Sequence, residues 1–185
     1  MWTLSTSGDG AYHHGDLRRS LIAAAQALLR TGGIEAVTLR EAARQAGVSH
    51  NAPYRHFPSR EALLAAVAAE GFRILHRAQA DAAEGAAPAD RLKAFGRAYL
   101  RFAAEDRASF RLMFGGALDP ADHPELAAVA KRTYGALESV AGDDATPGTG
   151  FVGRDALRAW ALVHGLAHLV ADRQIDAAEA EACLS

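Results

Sequence analysis

The 185-residue chain is 50% hydrophobic and 23% charged. That excludes a disordered polymer and leaves enough apolar side chains for one good core, or for a small module sharing its core with a larger one. A formal net charge of −2 argues against indiscriminate attraction to nucleic acid. The charge is unevenly placed, however. Met1 to His76 carries 8 Lys/Arg against 6 Asp/Glu (+2), and Arg77 to Ser185 carries 12 against 16 (−4), as suits a DNA module attached to something else. Cys183 is the single cysteine, so no intramolecular disulfide can form and a reducing cytoplasm is expected. Residues 1–10 have neither a basic start nor an apolar core, so no signal peptide is expected. The longest uncharged apolar run, Ala159 to Ala171, spans 13 residues, too short for a bilayer. No membrane partner is expected.

Abundant alanine and scarce β-branched runs predict an all-α fold. Residues 1–12 read as a leader rich in Ser, Thr and Gly. A first helix is expected from Asp16 to Arg30, with Leu17, Leu21, Ala24, Ala25 and Leu28 on one face and Gly32-Gly33 ending it. Thr38 is a suitable N-cap for a short second helix bearing Leu39, Ala42, Ala43 and Ala46, broken by Gly47. Ser49 would cap a third short helix reaching His56. After Pro58-Ser59 a long helix runs from Arg60 to Glu84, with Leu64, Val67, Ala68, Gly71 and Leu75 in a stripe. A linker, Gly85 to Pro88, precedes helices at 89–104, 109–114, 124–140 and 153–173 and a short one after Asp176. Gly142 to Gly150 reads as a loop. The chain is expected to divide into a smaller module at 13–59 and a larger one at 60–185.

The stretch TLREAARQAGVSHNAPYRHFPSREALL (38–64) carries the chemistry. Two short helices meet at Gly47, which tolerates positive φ. Ala43 is small enough to let them cross, and Val48 plugs the angle between them. That is the spacing of a helix-turn-helix, whose second helix enters the major groove. Its first turn is His50-Asn51-Ala52. Asn can pair with adenine and Ala can pack on a thymine methyl. Ser49, Tyr54 and His56 have polar tips suited to phosphates, as do Arg60 and Thr38 at the starts of the flanking helices. Phe57 is assigned to the core.

These residues resemble the recognition region of TetR-family repressors: Gly47-Val48-Ser49, Pro53-Tyr54-Arg55-His56-Phe57 and Ser59-Arg60-Glu61-Ala62-Leu63. They stand together with the Gly33 to Ala43 run and the first helix, so the likeness covers residues 13–64. Two positions depart from the family pattern. Pro53 replaces a smaller or aliphatic residue and costs little in a first turn. Arg60 replaces the usual Lys. The resemblance implies a three-helix DNA-binding domain, repression as the default, and a ligand-responsive C-terminal domain.

In the second half, Arg158-Ala-Trp160-Ala-Leu-Val-His164-Gly165 and Phe110-Arg-Leu-Met113-Phe114 resemble the Trp…His-Gly signature of one TetR-like C-terminal subgroup. The helix at 153–173 is apolar nearly all round, so it needs a core on one side and a symmetry mate on the other. A homodimer is expected, through this helix with 124–140 or 176–184, reading a palindromic double-stranded operator. Eight of the thirteen aromatics lie beyond residue 90. Phe95, Tyr99, Phe102, Phe110, Met113, Tyr134, Trp160, His164 and His168 are the candidate lining of a pocket for a largely apolar small-molecule effector. His164 and His168 are four apart, as metal ligands on a helix can be, but no acidic or thiol partner accompanies them. His13-His14 with Asp16 is a second histidine cluster and is likewise read as structural. No metal, cofactor or catalytic group is expected, since no nucleophile–base pair or phosphate loop is visible. A small helical metalloprotein, or an adaptor using its helix-turn-helix for protein contact, are the competing readings.

Overall fold

The computed structural model describes residues 14–141 and 153–184, with side chains from Leu17 onward in the first stretch. The leader, the His13-His14-Asp16 cluster and the loop at 142–150 lie outside what is described, the last two of the cluster in their side chains. Every regular element among the described residues is helical, as the alanine-rich composition predicts.

Helix α1 runs from His14 to Ala36 and is interrupted at Gly33, whose φ of 70° breaks the helix where the glycine pair predicts a stop. The chain continues for one more turn rather than ending there. Helix α2 (Leu39–Gln45) begins at Thr38, whose Oγ1 accepts the Glu41 N–H at 3.1 Å. After Gly47 (φ 70°) the expected third helix is only a 3-10 turn, Ala52–Arg55. Its N-cap is Asn51, without a side-chain cap; Ser49 contributes its backbone carbonyl to Ala52 N–H rather than the hydroxyl cap predicted from sequence. Pro53 within the segment removes one N–H and presets φ, which favours this tight short turn over a long helix.

Helix α3 (Arg60–Glu84) matches its predicted bounds and is capped by Ser59 Oγ on Ala62 N–H at 3.1 Å. Its 25 residues extend about 37 Å at 1.5 Å per residue. Helices α4 (Arg91–Glu105), α5 (Arg107–Phe114), α6 (Pro124–Ala141), α7 (Arg154–Ala171) and α8 (Ala177–Ala182) follow, with 3-10 turns at Pro88–Asp90 and Pro120–Asp122. A capping box between Asp176 and Glu179 starts α8.

Helix α3 is the spine, packing on α1, α4, α5 and α6, while α4 packs also on α7 and α8. Its predicted stripe is buried throughout. Three core clusters lie along it in order. Leu63 to Phe72 join α1, α2 and Phe57 to Leu126 and Val129 of α6. Leu75 joins the ring-rich cluster of α4, α5 and α7. Ala83 joins Phe95, Leu137 and Ala156. One helix therefore contributes to all three core clusters.

Candidate DNA-reading head and effector domain

The reading head is held by backbone geometry. Val48 N–H donates to Ala43 O at 3.0 Å and Gly47 N–H to Arg44 O at 3.2 Å, closing the turn between the two segments. Ala43 is buried at the crossing and Val48 packs on the core, as the spacing requires. Phe57 is buried with an Arg18 guanidinium 5.5 Å above its ring. Pro53 is buried beneath the 3-10 turn.

The predicted contact residues separate into two groups. Thr38, Ser49, His50, Asn51 and Tyr54 are exposed and Ala52 is half-buried. Tyr54 is 58% exposed, the largest exposure among the big apolar-bodied side chains of the described residues. Thr38 Oγ1, while accepting its capping bond, keeps a proton to donate to a phosphate.

His56 and Arg60 stand elsewhere. The His56 ring is half-buried, its Nε2 has no partner among the described residues, and it lines a cleft with Arg18, Phe57, His123 and Glu125 at the junction with α6. Arg60 donates through Nε to Val37 O at 2.7 Å and through its terminal nitrogen to Ile34 O, so it ties α3 to the α1–α2 connection. Arg in place of Lys has a physical reason here, because one planar fork reaches two carbonyls.

Two cations escaped the sequence reading. Arg40 and Arg55 are exposed, one on α2 and one beside Tyr54, and neither has an ion pair among the described residues. Their signal was available as unpaired charge within the motif. Arg44, by contrast, is bound to Glu41, and that hydrogen bond holds the Glu41 carboxyl below its ordinary range.

In the effector domain the structure gathers most of the predicted pocket residues into one ring cluster. Tyr99 OH meets His164 Nδ1 at 2.7 Å and His164 Nε2 meets His168 Nε2 at 3.2 Å. The His164 ring lies 5.0 to 6.1 Å from Phe110, Phe114, Trp160 and Tyr99. Tyr134 reaches Trp160 edge-on at 5.4 Å. Phe102 belongs to the same cluster and Met113 packs against it, its Sδ 2.6 Å from where a Cβ on Gly71 would lie. Desolvation, then His168, lowers the His164 pKa to about 4, and burial, then Tyr134, raises the Tyr99 phenol well above its usual value. Both are neutral at physiological pH. A phenol donating to Nδ1 places the imidazole proton on Nε2, which then donates a hydrogen bond to His168 Nε2.

Phe95 stands apart, in the third cluster. It lines an apolar groove of about 250 Å³ between α4, α6, α7 and the residues just after α8, with Leu92, Lys93, Leu137, Leu162, Val163 and Leu184. Sequence reasoning missed this groove because Cys183 and Leu184, at the far end of the chain, form one wall of it. It missed Gln79 too, which occupies the α3 stripe position after Leu75. Gln79 is buried with its Oε1 unpartnered, and Trp160 Nε1 is likewise orphaned. Buried polar tips without partners among apolar walls are the chemistry that orients a ligand.

The arrangement defines a class, a helix-turn-helix head mounted on a helical C-terminal domain. The profile of the bacterial regulatory proteins of the tetR family matches residues 21–67, and that of the tetracyclin repressor-like C-terminal domain matches residues 92–184. The chain belongs to the TetR family of DNA-binding transcription regulators.

Among solved structures it is similar to a protein of unknown function from Rhodococcus sp. RHA1, with 34% identity, a TM-score of 0.77, and coverage of 95% of this chain and 94% of that one. It is also similar to the TetR-family regulator PfmR of Thermus thermophilus, at 26% identity and TM-score 0.62, covering 89% and 94%. AibR, solved in complex with isovaleryl coenzyme A and operator DNA, shares the fold at 17% identity and TM-score 0.64, covering 91% and 95%. A search of curated protein sequences gives no match. No helix among the described residues is long and apolar enough to cross a membrane.

Proposed function

We propose that this chain is a cytoplasmic homodimeric repressor that binds a palindromic operator and is released by a largely apolar small-molecule effector, with no catalytic role. The observation that carries the reading is the exposed turn at 49–54. Its polar and aromatic tips stand free on a backbone closed by Gly47 and Val48, while the fold is held by other residues. His50, Asn51 and Ala52 read base edges; Thr38, Ser49, Tyr54, Arg40 and Arg55 grip phosphates. His56 and Arg60 hold the head in position from its inner side. The reading module spans residues 13–59 and the effector and dimer module residues 60–185, with α3 as the shared lever.

Support for the dimer comes from the outer faces of α6 and α7. Leu157, Ala161, Leu162, Gly165 and Leu169 are exposed on α7, beside exposed Ala128, Gly135 and Ser139 on α6. A Cβ added at Gly135 or Gly165 would meet nothing within 4 Å. Small and apolar residues on a solvent face let a second copy approach closely, and a two-fold pair presents two heads to a palindrome.

The effector reading rests on the apolar groove and the ring cluster with its orphaned polar tips. An occupant there shifts α3 and α6. Glu125, in the first turn of α6, bonds Arg18 of α1 at 2.6 Å and also Arg73 of α3, so that shift reaches the head. Ligand then favours a head spacing that does not fit the operator.

The test is selection of bound sequences from a randomised duplex library, followed by mobility shift at stated salt. One palindromic site should be enriched, and Tyr54→Ala should lose it while sedimenting as a dimer. A monomer at micromolar concentration, or no enrichment at low salt from refolded, ligand-stripped protein, overturns the reading.

A further inference from the structure

A cleft on the flank of α3 and α6 has a chemistry unlike the apolar groove. Its volume is about 200 Å³, and it is lined by Phe72, Arg73, His76, Arg77, Val129, Arg132 and Thr133. The floor is apolar and the rim is basic, and no carboxylate lines it.

The charge around it does not balance. Arg73 is held by Glu70 at 3.1 Å and by Glu125; Arg77 reaches Glu70 only at 3.4 Å; Glu125 is shared with Arg18. Four guanidinium groups (Arg18, Arg73, Arg77 and Arg132) thus face two carboxylates. Arg132 is exposed with no ion pair among the described residues. His76 is half-buried, and its Nδ1 is shut off from solvent with no hydrogen-bond partner. Thr133 Oγ1 donates to Val129 O at 3.0 Å, which leaves the hydroxyl able only to accept. An orphaned imidazole nitrogen beside uncompensated guanidinium groups is a set of donors short of an acceptor.

We propose that this cleft is an anion subsite. It takes the phosphate or carboxylate group of a small molecule, with Arg132 and Arg77 as the fork donors, His76 as the buried donor, and Phe72 and Val129 against the apolar part. An anion held there bridges α3 to α6, since His76 and Arg77 belong to one helix and Arg132 to the other. It shares no lining residue with the apolar groove, which lies between α4, α6, α7 and the residues after α8. The inference concerns binding and stands whether or not the anion belongs to the molecule that releases DNA.

The experiment follows the His76 ring resonances by NMR in the full-length chain, assigned with His76→Gln. Sodium phosphate and sodium butyrate are titrated at constant pH and constant ionic strength, against sodium chloride. A saturable shift of His76 is expected with phosphate, butyrate or both. It should weaken by at least about ten-fold in the Arg77→Gln/Arg132→Gln double variant, as charge-assisted bonds are lost. Saturation by phosphate alone assigns a phosphate-bearing ligand, and tighter binding of butyrate assigns a carboxylate on an apolar body. Both variant sites lie on the rim of the cleft, so circular dichroism and Tm should match the parent. Shifts that are linear, equal in chloride, or unchanged in the double variant overturn the proposal. Because the readout is not operator binding, failure here is distinct from failure of the repressor reading.

Discussion

The reading head and the effector domain place their chemistry on opposite sides of the fold. In the head, the groups that would meet DNA are exposed and bond little to the rest of the protein. Tyr54, His50 and Asn51 could change without leaving a cavity. In the effector domain the distinctive groups are inside, and they come from afar: Tyr99 and His164, joined at 2.7 Å, are 65 residues apart. The proposed DNA contacts depend on a local backbone shape. The buried cluster depends on how separate helices pack, so its chemistry and its stability are carried by the same residues.

The largest test of that contrast is Phe110→Ala. Phe110 is fully buried, in ring contact with Tyr99, Phe114, His164 and His168. Its truncation should cost about 3–5 kcal/mol in denaturant unfolding. Equal stability to the parent would mean the cluster is not the core described.

Gly47→Val should come next. A β-branched residue at φ 70° is strained whatever the space around it, at about 1–3 kcal/mol, with the reading turn displaced. Thermal melts and operator mobility shifts should both worsen.

Tyr54→Ala and Arg55→Gln should reverse the pattern. Stability should stay within about 0.5 kcal/mol of the parent, while operator affinity falls several-fold. For Arg55→Gln the salt dependence should flatten as one phosphate contact is lost.

Glu125→Gln sits at the seam. Exposed ion pairs are each worth less than about 1 kcal/mol, so the melt should barely move. The effector concentration needed for release should shift, because the tie from α6 to Arg18 and Arg73 is cut.

A separate test of the buried cluster is in pH. His164 has a folded pKa of about 4 against 6.5 when unfolded, so the fold favours the neutral ring. Its contribution is complete above about pH 6.5 and is lost as pH falls toward 4, since the unfolded chain then binds the proton first. Parent and His164→Gln should therefore converge in stability across that window, and parallel curves would contradict the burial of the ring.

Much of the head was legible in the sequence because its rules are short-range. Thr38, Ser59 and Gly47 act within three or four residues of themselves, so the bounds of α2 and α3 followed from caps and a breaker. The errors there have two scales. Pro53 acted locally, shortening the expected third helix to a 3-10 turn. The Arg60 side chain, by contrast, found carbonyls 23 and 26 residues back in the chain. No spacing rule predicts such a bond. His56 lies half-buried in a cleft whose far wall, with His123 and Glu125, comes from the start of α6.

Sequence by itself determined the helical class, the turn at Gly47, the capped starts of α2 and α3, and which residues follow that turn. Each follows from backbone sterics or from a side chain bonding its own neighbourhood. Tertiary structure alone decided that Tyr99, His164 and His168 form one chain of hydrogen-bonding groups, that Phe95 lines a groove closed by Cys183 and Leu184, and that three arginines and His76 surround one cleft. These depend on which helices α3 packs against, and that choice is made by burial summed over the whole core rather than by any residue's neighbours in the chain.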